Sequence, residues 1–351
     1  MHHGPVIPET PYEAVAVTGG AGFVGRHLVT ALSLLSRKVT VVDQAPLPAG
    51  LAALPGVSHV RADLRDYGET LLALQSADAV FHLAGNASGT ESVADPRRDF
   101  QLNALGTCNV GNACLELGVR RLVYLSSAIV YGTPRHSPIR EDHPTQPFLP
   151  YGASKLSGEL TLRSLHATAG LPVVIGRSFV VYGPGEDPRR AGGEVSQFLR
   201  WHLNELPIPV VGDIDRKRRD FIHVEDLCRA LMVLAARGAD GETYNLGTGT
   251  AVSMRELADA VGAATGRPAL LDADTSSLAD SFTLLADTTR LTGLGFAPRV
   301  TLTEGLGALA GLLGPFPETP SARAVFRREA PARRRLTPGA TAGIREEAAR
   351  C

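Results

Sequence analysis

Short apolar runs alternate with longer segments of helical periodicity from residue 13 to about residue 177. Such runs are typical of strands buried on both faces, and the alternation predicts a parallel sheet covered by helices. Right-handed crossovers between six such strands give an α/β, doubly wound order, whose ligand cleft lies at the carboxyl ends of the strands. The predicted strands are 13–18, 38–43, 57–61, 79–83, 121–125 and 172–177, and two of the predicted helices between them are 22–36 and 96–117.

The alternation loosens after residue 177, where helical periodicity predicts a smaller C-terminal lobe with helices at 224–238, 253–265 and 301–313. After residue 315 the sequence has little periodicity and several arginine clusters, which is typical of a disordered tail. The expected division is a first domain at 12–178 with 224–250 returning to it, a substrate-binding lobe at 179–223 and 251–315, and an arginine-rich tail at 316–351.

Composition is that of an ordinary globular protein, since 44% of the 351 residues are hydrophobic, 20% are charged and the net charge is −1. This balance offers no electrostatic footprint for nucleic acid or for a membrane surface, so neither partner is expected. No apolar run reaches the length of a membrane span and the first residues lack the apolar core of a signal peptide, so we expect a cytoplasmic protein. The four cysteines and ten histidines show no metal-ligand spacing, which predicts no metal site.

A glycine-rich turn follows the first predicted strand, with Gly19, Gly22 and Gly25 spaced three residues apart. This spacing permits a tight turn, close approach of a ligand to the backbone, and close packing of a helix on the strand. Together with Phe23 and Val24, the turn offers free N–H groups and the positive end of a helix dipole to a pyrophosphate. A tight turn that binds no ligand is the alternative, because three spaced glycines alone are weakly specific.

Acidic and small residues follow the next three predicted strands. Asp43 ends the second strand, where a dinucleotide fold places the carboxylate that accepts the adenosine ribose hydroxyls. An acid there repels a 2′-phosphate, so the predicted cofactor is NAD rather than NADP. After the third strand, Asp63 beside Leu64 would reach the adenine amino group, with a solvated turn aspartate as the alternative. After the fourth strand come residues that let a flat ligand lie against the backbone: Leu83, Ala84 and Gly85.

A hydroxyl and a Tyr–Lys pair carry the candidate chemistry. Ser127 lies at the mouth of the cleft after the fifth predicted strand, and Tyr151 and Lys155 follow at the i, i+4 spacing of one helix face. An ammonium on the same face favours the phenolate, so we expect a lowered pKa for Tyr151 and a role in proton transfer. An exposed tyrosine with a solvated lysine is the alternative for the pair alone. Asn103, polar within an apolar helix, is assigned to the cofactor, with a purely structural hydrogen-bonding role as the alternative.

Four basic residues stand together at 216–219. Such a cluster is usually part of a solvated loop. Beside a cleft that holds a dinucleotide, at least one of its arginines can clamp a second diphosphate, because a guanidinium fork matches two phosphate oxygens.

From about residue 14 to residue 313 the chain resembles the extended short-chain dehydrogenase/reductase family, in particular nucleotide-sugar 4-epimerases of the UDP-glucose 4-epimerase type. This resemblance implies a Rossmann domain with tightly bound NAD, and a nucleotide-sugar substrate. It further implies Tyr151 as base and acid, Lys155 holding the nicotinamide ribose, Ser127 bonding the reacting hydroxyl, and Arg219 holding the substrate diphosphate. The likeness lies in Thr18-Gly-Gly-Ala-Gly-Phe-Val-Gly25, His82-Leu-Ala-Gly85, Asn103-Ala-Leu-Gly-Thr107, Ser126-Ser-Ala-Ile-Val-Tyr-Gly132, Tyr151-Gly-Ala-Ser-Lys155, Arg219-Asp-Phe-Ile-His-Val-Glu-Asp226 and Tyr244-Asn-Leu-Gly247.

Departures within this pattern refine the predicted reaction. The related 4,6-dehydratases and glucuronate decarboxylases carry an acid just before their Val-Tyr-Gly motif, where Ala128 and Ile129 stand here. The family asparagine that binds the substrate diphosphate is replaced by Val180, which alters the expected phosphate contacts. We predict an NAD-dependent 4-epimerase, assembled as a homodimer, that oxidises C4 of a nucleotide-linked hexose and returns the hydride to the other face. The alternatives are a 4-ketosugar reductase, another sugar-nucleotide dehydratase, and a non-catalytic dinucleotide-sensing protein.

Overall fold

The computed structural model describes residues 12–187, 193–276 and 280–318. Its strands are β1 (Ala14–Thr18), β2 (Lys38–Val42), β3 (Val57–Val60), β4 (Ala79–His82), β5 (Arg121–Ser127), β6 (Val173–Ser178), β7 (Val180–Tyr182), β8 (Ile208–Val211), β9 (Arg218–His223), β10 (Thr243–Leu246), β11 (Ala251–Ser253), β12 (Leu271–Asp274) and β13 (Thr283–Leu284). Its α-helices are α1 (Phe23–Leu32), α2 (Ala49–Ala52), α3 (Tyr67–Leu74), α4 (Gly89–Ala94), α5 (Pro96–Phe100), α6 (Gly106–Glu116), α7 (Pro150–Ala169), α8 (Glu194–Leu203), α9 (Val224–Arg237), α10 (Met254–Thr265), α11 (Thr289–Gly293) and α12 (Leu302–Leu313).

Seven strands form one parallel sheet in the order β10-β6-β5-β4-β1-β2-β3. Val17 of β1 lies opposite Val41 of β2 and Phe81 of β4, and all three side chains are fully buried. The strand order reverses between β1 and β4, and open α/β sheets bind ligands in the crevice at that point. The predicted α/β, doubly wound fold is confirmed.

The six predicted strands are confirmed to within two residues at each end, but the seventh strand, β10, was not predicted. Its sequence, Thr-Tyr-Asn-Leu, lacks an apolar run because buried Asn245 is a hydrogen-bonding hub. The Asn245 amide donates to the main-chain oxygens of Ile139 and Asp287, and its oxygen accepts from Tyr131 at 2.7 Å. Hydrogen bonding across the sheet edge therefore replaces the apolar signal that marks the other strands.

Helices cover both faces of the sheet, with α1 and α9 packed on one face and α3, α6 and α7 on the other. Two predicted helices differ in detail. The first ends at Leu32 instead of residue 36. The second, predicted at 96–117, is divided into α5 and α6 by a π-helical turn over Gln101–Leu105. Such turns often mark functional sites, and this one contains Asn103.

A second apolar core lies beyond β6, where β7, β9, β11 and β13 form a small mixed sheet and β8 pairs with β12. This core is built by α8, α10 and α12 around Phe198, Leu199, Phe221, Leu257 and Leu306. Between β9 and β10 the chain returns to the large sheet through α9.

The first residues of the predicted tail pack against α8. Arg200 donates to the main-chain oxygen of Glu318 at 2.9 Å, and Asn204 donates to that of Pro317 at 2.6 Å. Residues 316–318 therefore belong to the packed structure, and residues 319–351 lie outside the described residues. Within the described ranges, no helix is long and apolar enough to cross a membrane. The same ranges contain no group of three or more His, Cys, Asp or Glu side chains able to hold a metal ion.

Candidate active site

The candidate dinucleotide residues meet at one edge of the large sheet, because each group of them follows the carboxyl end of a parallel strand. Gly19, Gly22, Phe23, Val24 and Gly25 follow β1, Asp43 follows β2, Asp63 and Leu64 follow β3, and Leu83, Ala84 and Gly85 follow β4. Ser127 ends β5, Asn103 lies in the π-helical turn, Tyr151 and Lys155 lie near the start of α7, and Arg219 lies in β9.

The glycine turn leaves no room for side chains between β1 and α1. A Cβ atom on Gly25 would lie 2.2 Å from the Gly19 oxygen, and one on Gly19 would lie 2.7 Å from the Ala84 nitrogen. Gly19 also has a φ of 70°, which favours glycine. In the described part of the chain, no side chain caps α1 at Gly22 and its first turn holds no acid. The N–H groups of this helix end can therefore bind a pyrophosphate, as NAD requires.

Asp43 reaches back to the glycine turn. Its Oδ2 accepts a hydrogen bond from the Ala21 N–H at 3.1 Å, and its Oδ1 accepts one from Ala45 at 3.0 Å. The carboxylate is partly exposed, so it retains lone pairs for the ribose hydroxyls of a dinucleotide in the turn. Asp63 is instead held by the guanidinium of Arg65, whose Nη2 lies 2.5 Å from its Oδ2, and this contact lowers the pKa of Asp63.

Asn103 joins the turn after β4 to helix α7. Its Nδ2 donates to the Asn86 oxygen, to Asp99 and to the hydroxyl of Ser154, at 2.9 to 3.2 Å. A Cβ atom on Gly85 would lie only 2.2 Å from the Asn103 Oδ1, so this oxygen occupies the space that a side chain at residue 85 would need. That oxygen is fully buried and has no hydrogen-bond partner among the described residues. Because unpaired buried acceptors are rare, its position at this edge fits a site that a ligand completes.

Tyr151 and Ser127 face each other across the end of β5 and the start of α7. Burial raises the pKa of Tyr151 to about 12, while its hydrogen bond with Ser127 acts in the opposite direction. The expected lowering of this pKa is therefore wrong for the structure described. At neutral pH the side chain is mainly a phenol, able to donate a proton to an oxygen placed beside it and Ser127.

Lys155 explains why the expected shift is missing. Lys155 is 5% exposed and its Nζ donates to the Leu125 main-chain oxygen at 2.9 Å. Its charge is not among the causes that shift the pKa of Tyr151. Burial lowers the pKa of Lys155 to about 8, although the charges of Asp99 and Glu159 favour the ammonium. The i, i+4 spacing thus places the two residues on one helix face, but the Lys155 ammonium is held by a hydrogen bond to a β5 carbonyl.

Arg219 is connected to the catalytic candidates through two aromatic rings. Its guanidinium lies 5.0 Å from the ring centroid of Phe282, and that ring contacts Phe148 edge to face at 6.4 Å. Phe148 precedes Tyr151 by three residues. A chain of contacts therefore runs from the predicted diphosphate arginine to the segment that begins α7.

Sequence reasoning missed the buried acid Asp99, which is 2% exposed. It accepts hydrogen bonds from Asn86, Asn103 and Ser154 at 2.6 to 3.1 Å and so ties α5 to α7. Its position four residues before Asn103 on a helix was a signal that could have found it. It holds Asn103 and the start of α7 in place beside Lys155.

Known proteins resemble this chain over most of its length. The sequence model of the NAD dependent epimerase/dehydratase family matches residues 15–247. The UDP-glucose 4-epimerase of Mycolicibacterium smegmatis is 34% identical over 300 residues, covering 83% of this chain and 95% of that protein. A dTDP-glucose 4,6-dehydratase of Actinoplanes sp. is 33% identical over 309 residues, covering 83% and 95% respectively. The solved structure of MoeE5 in complex with UDP-glucuronic acid and NAD has a TM-score of 0.76 at 34% identity, covering 85% of this chain and 98% of that one.

Proposed function

The chain belongs to the NAD-dependent epimerase/dehydratase family, and we propose that within this family it is a nucleotide-sugar 4-epimerase. The proposed substrate is a UDP- or dTDP-linked hexose, inverted at C4. One observation carries the proposal: Tyr151 is hydrogen-bonded to Ser127, and the two residues that follow Ser127 are the apolar Ala128 and Ile129. The position at which the related dehydratases carry an acid therefore holds no acid here.

NAD is the cofactor of this chain, and it supplies reversible redox chemistry at the sugar carbon when it is bound. The residues present fit it, because α1 presents an uncapped N-terminus at a turn with no space for side chains. We assign the pyrophosphate to that turn, the adenosine ribose to Asp43, and the nicotinamide ribose to Lys155.

Tyr151 and Ser127 would move and hold the proton of the C4 hydroxyl. Ser127 fixes the hydroxyl by a hydrogen bond, and Tyr151 in its phenolate form accepts the hydroxyl proton as the C4–H bond breaks. When C4 regains its hydrogen on the other face, the Tyr151 phenol returns the proton to the keto oxygen. Each proton therefore stays between Tyr151 and the sugar over one cycle, and no water is lost.

The surroundings of Ser127 favour epimerisation over dehydration. A dehydratase needs a further acid or base for elimination of water, but the short 3-10 turn after Ser127 begins with buried Ala128 and continues with Ile129. Two buried acids that act on Lys155 are already engaged, since Asp99 accepts three hydrogen bonds and Glu159 is paired with Arg177. Both acids are therefore engaged in structural interactions.

The fate of hydrogen tests this proposal. Purified protein, given UDP-, dTDP- or GDP-hexoses in heavy water without added dinucleotide, is expected to form the 4-epimer with its original carbon-bound hydrogen. Mass spectrometry of the product checks this. A strict requirement for added NADH would indicate a reductase, and a product lighter by one water molecule would indicate a dehydratase. Either outcome contradicts the epimerase assignment.

Asp43 is expected to select NAD over NADP by roughly 10- to 100-fold, because a 2′-phosphate would meet a carboxylate in a partly dry site. Calorimetric titration with both dinucleotides measures this preference. The Asp43→Asn variant should narrow it, whereas Asp63→Asn should leave it unchanged because Asp63 is already neutralised by Arg65. Equal affinities of the wild-type protein for NAD and NADP would refute the assignment.

A further inference from the structure

Two cations are buried side by side where β9 begins. Lys217 directly precedes the strand, Arg219 is its second residue, and their exposures are 6% and 5%. Residues two apart in extended chain point to the same face. Buried lysine is rare unless it is paired, and the proposed function gives Lys217 no role.

One carboxylate holds both cations. Oδ2 of Asp280 lies 2.6 Å from the Lys217 Nζ, and its Oδ1 lies 2.7 Å from the Arg219 Nη2. The two oxygens of a single anionic group thus bridge an ammonium and a guanidinium, as two oxygens of a phosphate group can. Asp280 comes from the segment before β13, distant in sequence from β9.

The two ends of the Arg219 guanidinium have different partners. Its Nη1 donates to the main-chain oxygens of Arg218 and Phe282, at 3.0 and 2.8 Å, and these bonds fix the side chain. Its Nε and Nη2 face carboxylates instead, with Glu194 at 3.5 Å and Asp280 at 2.7 Å. The edge that suits bidentate anion binding is therefore the one that side-chain acids occupy.

We propose that Lys217 is a second cation of the substrate diphosphate site, and that Asp280 is the internal carboxylate that the diphosphate displaces. This inference rests on the proposed function, in which Arg219 holds the diphosphate of a nucleotide sugar. Glu194 and Asp280 already balance Lys217 and Arg219, so a diphosphate added without displacement would leave uncompensated negative charge in a buried site. Asp280 is 38% exposed and can turn to solvent, whereas Lys217 at 8% side-chain exposure stays.

Anion affinity tests the displacement. NAD-saturated protein is titrated with inorganic pyrophosphate and, separately, with UDP in a calorimeter, so that the glycine turn is filled in every sample. Asp280→Asn is expected to lower the Kd of both probes by about tenfold, because the competing charge is gone. Lys217→Met is expected to raise both Kd values by about tenfold. Asp215→Asn, which removes an exposed carboxylate paired with Arg255, is the matched control and should change neither value.

The outcomes separate this inference from the proposed function. Unchanged or weaker pyrophosphate binding by Asp280→Asn, or unchanged binding by Lys217→Met, would overturn the inference. This holds whether or not the protein epimerises nucleotide hexoses. Absence of 4-epimer formation would overturn the proposed function but leaves the pyrophosphate titration readable. If Asp280→Asn folds poorly, the titration of Lys217→Met still tests the inference. In addition, pyrophosphate should raise the melting temperature of Asp280→Asn by more than it raises that of the wild-type protein.

Discussion

Tyr151→Phe is expected to lower 4-epimerase turnover by about 10²- to 10⁴-fold, the usual effect of losing a general acid/base. The change removes one oxygen, so the ring keeps its packing at the start of α7. Melting temperature and NAD affinity should therefore match those of the wild-type protein. Steady-state kinetics with the nucleotide hexose, together with thermal unfolding and calorimetry, measure these three quantities.

The pH dependence separates proton transfer from a structural role of the same oxygen. Because the pKa of Tyr151 is raised to about 12, the phenolate fraction grows with pH throughout the neutral range. Wild-type turnover should rise with pH there, and the residual activity of Tyr151→Phe should not. The matched control is Tyr67→Phe, which removes an exposed hydroxyl that donates to Glu116 at 2.6 Å. Near-normal turnover of Tyr151→Phe would exclude the mechanism.

Sequence alone predicted most of the large sheet because most of its strands are buried and therefore form nearly continuous apolar runs. In β2, Val39, Val41 and Val42 are buried almost completely, and the polar residues are Thr40 and the exposed Lys38 at the start of the strand. The glycine turn was equally readable, since a Cβ atom at Gly25 would overlap the backbone. These features depend on local sequence. Residues that directly follow a predicted strand could therefore be placed at the cleft, which lies at the carboxyl ends of the strands.

The features that sequence missed depend on contacts between distant segments. The π-helical turn at Gln101–Leu105 has no composition of its own, because α5 and α6 read as one amphipathic stretch. The carboxylate bridging Lys217 and Arg219 comes from Asp280, more than sixty residues away. The pKa of Tyr151 depends on burial and on the hydrogen bond with Ser127, neither of which helical spacing determines.

The buried ion pair of Arg177 and Glu159 fastens three elements beneath the candidate catalytic residues. The two side chains are 3% and 1% exposed, and Arg177 Nη2 lies 2.6 Å from Glu159 Oε2. Glu159 also accepts from Ser126 at 2.5 Å, so α7 is tied to β6 and to the end of β5. Burial disfavours the guanidinium charge, but hydrogen bonding and attraction from Glu159 prevail and raise the pKa of Arg177. Loss of either partner would leave one charge buried without compensation.

Arg177→Met is therefore expected to reduce the free energy of unfolding by about 3–5 kcal/mol, the effect of leaving one member of a buried pair alone. The urea transition midpoint, followed by circular dichroism, measures the loss. Arg255→Met is the matched control, because Arg255 and Asp215 are 53% and 60% exposed and such pairs contribute about 0–1 kcal/mol. Adding Glu159→Met to Arg177→Met should recover a large part of the loss, since it removes the stranded charge. A loss in Arg177→Met no greater than in Arg255→Met would mean that the pair does not hold α7 against the sheet.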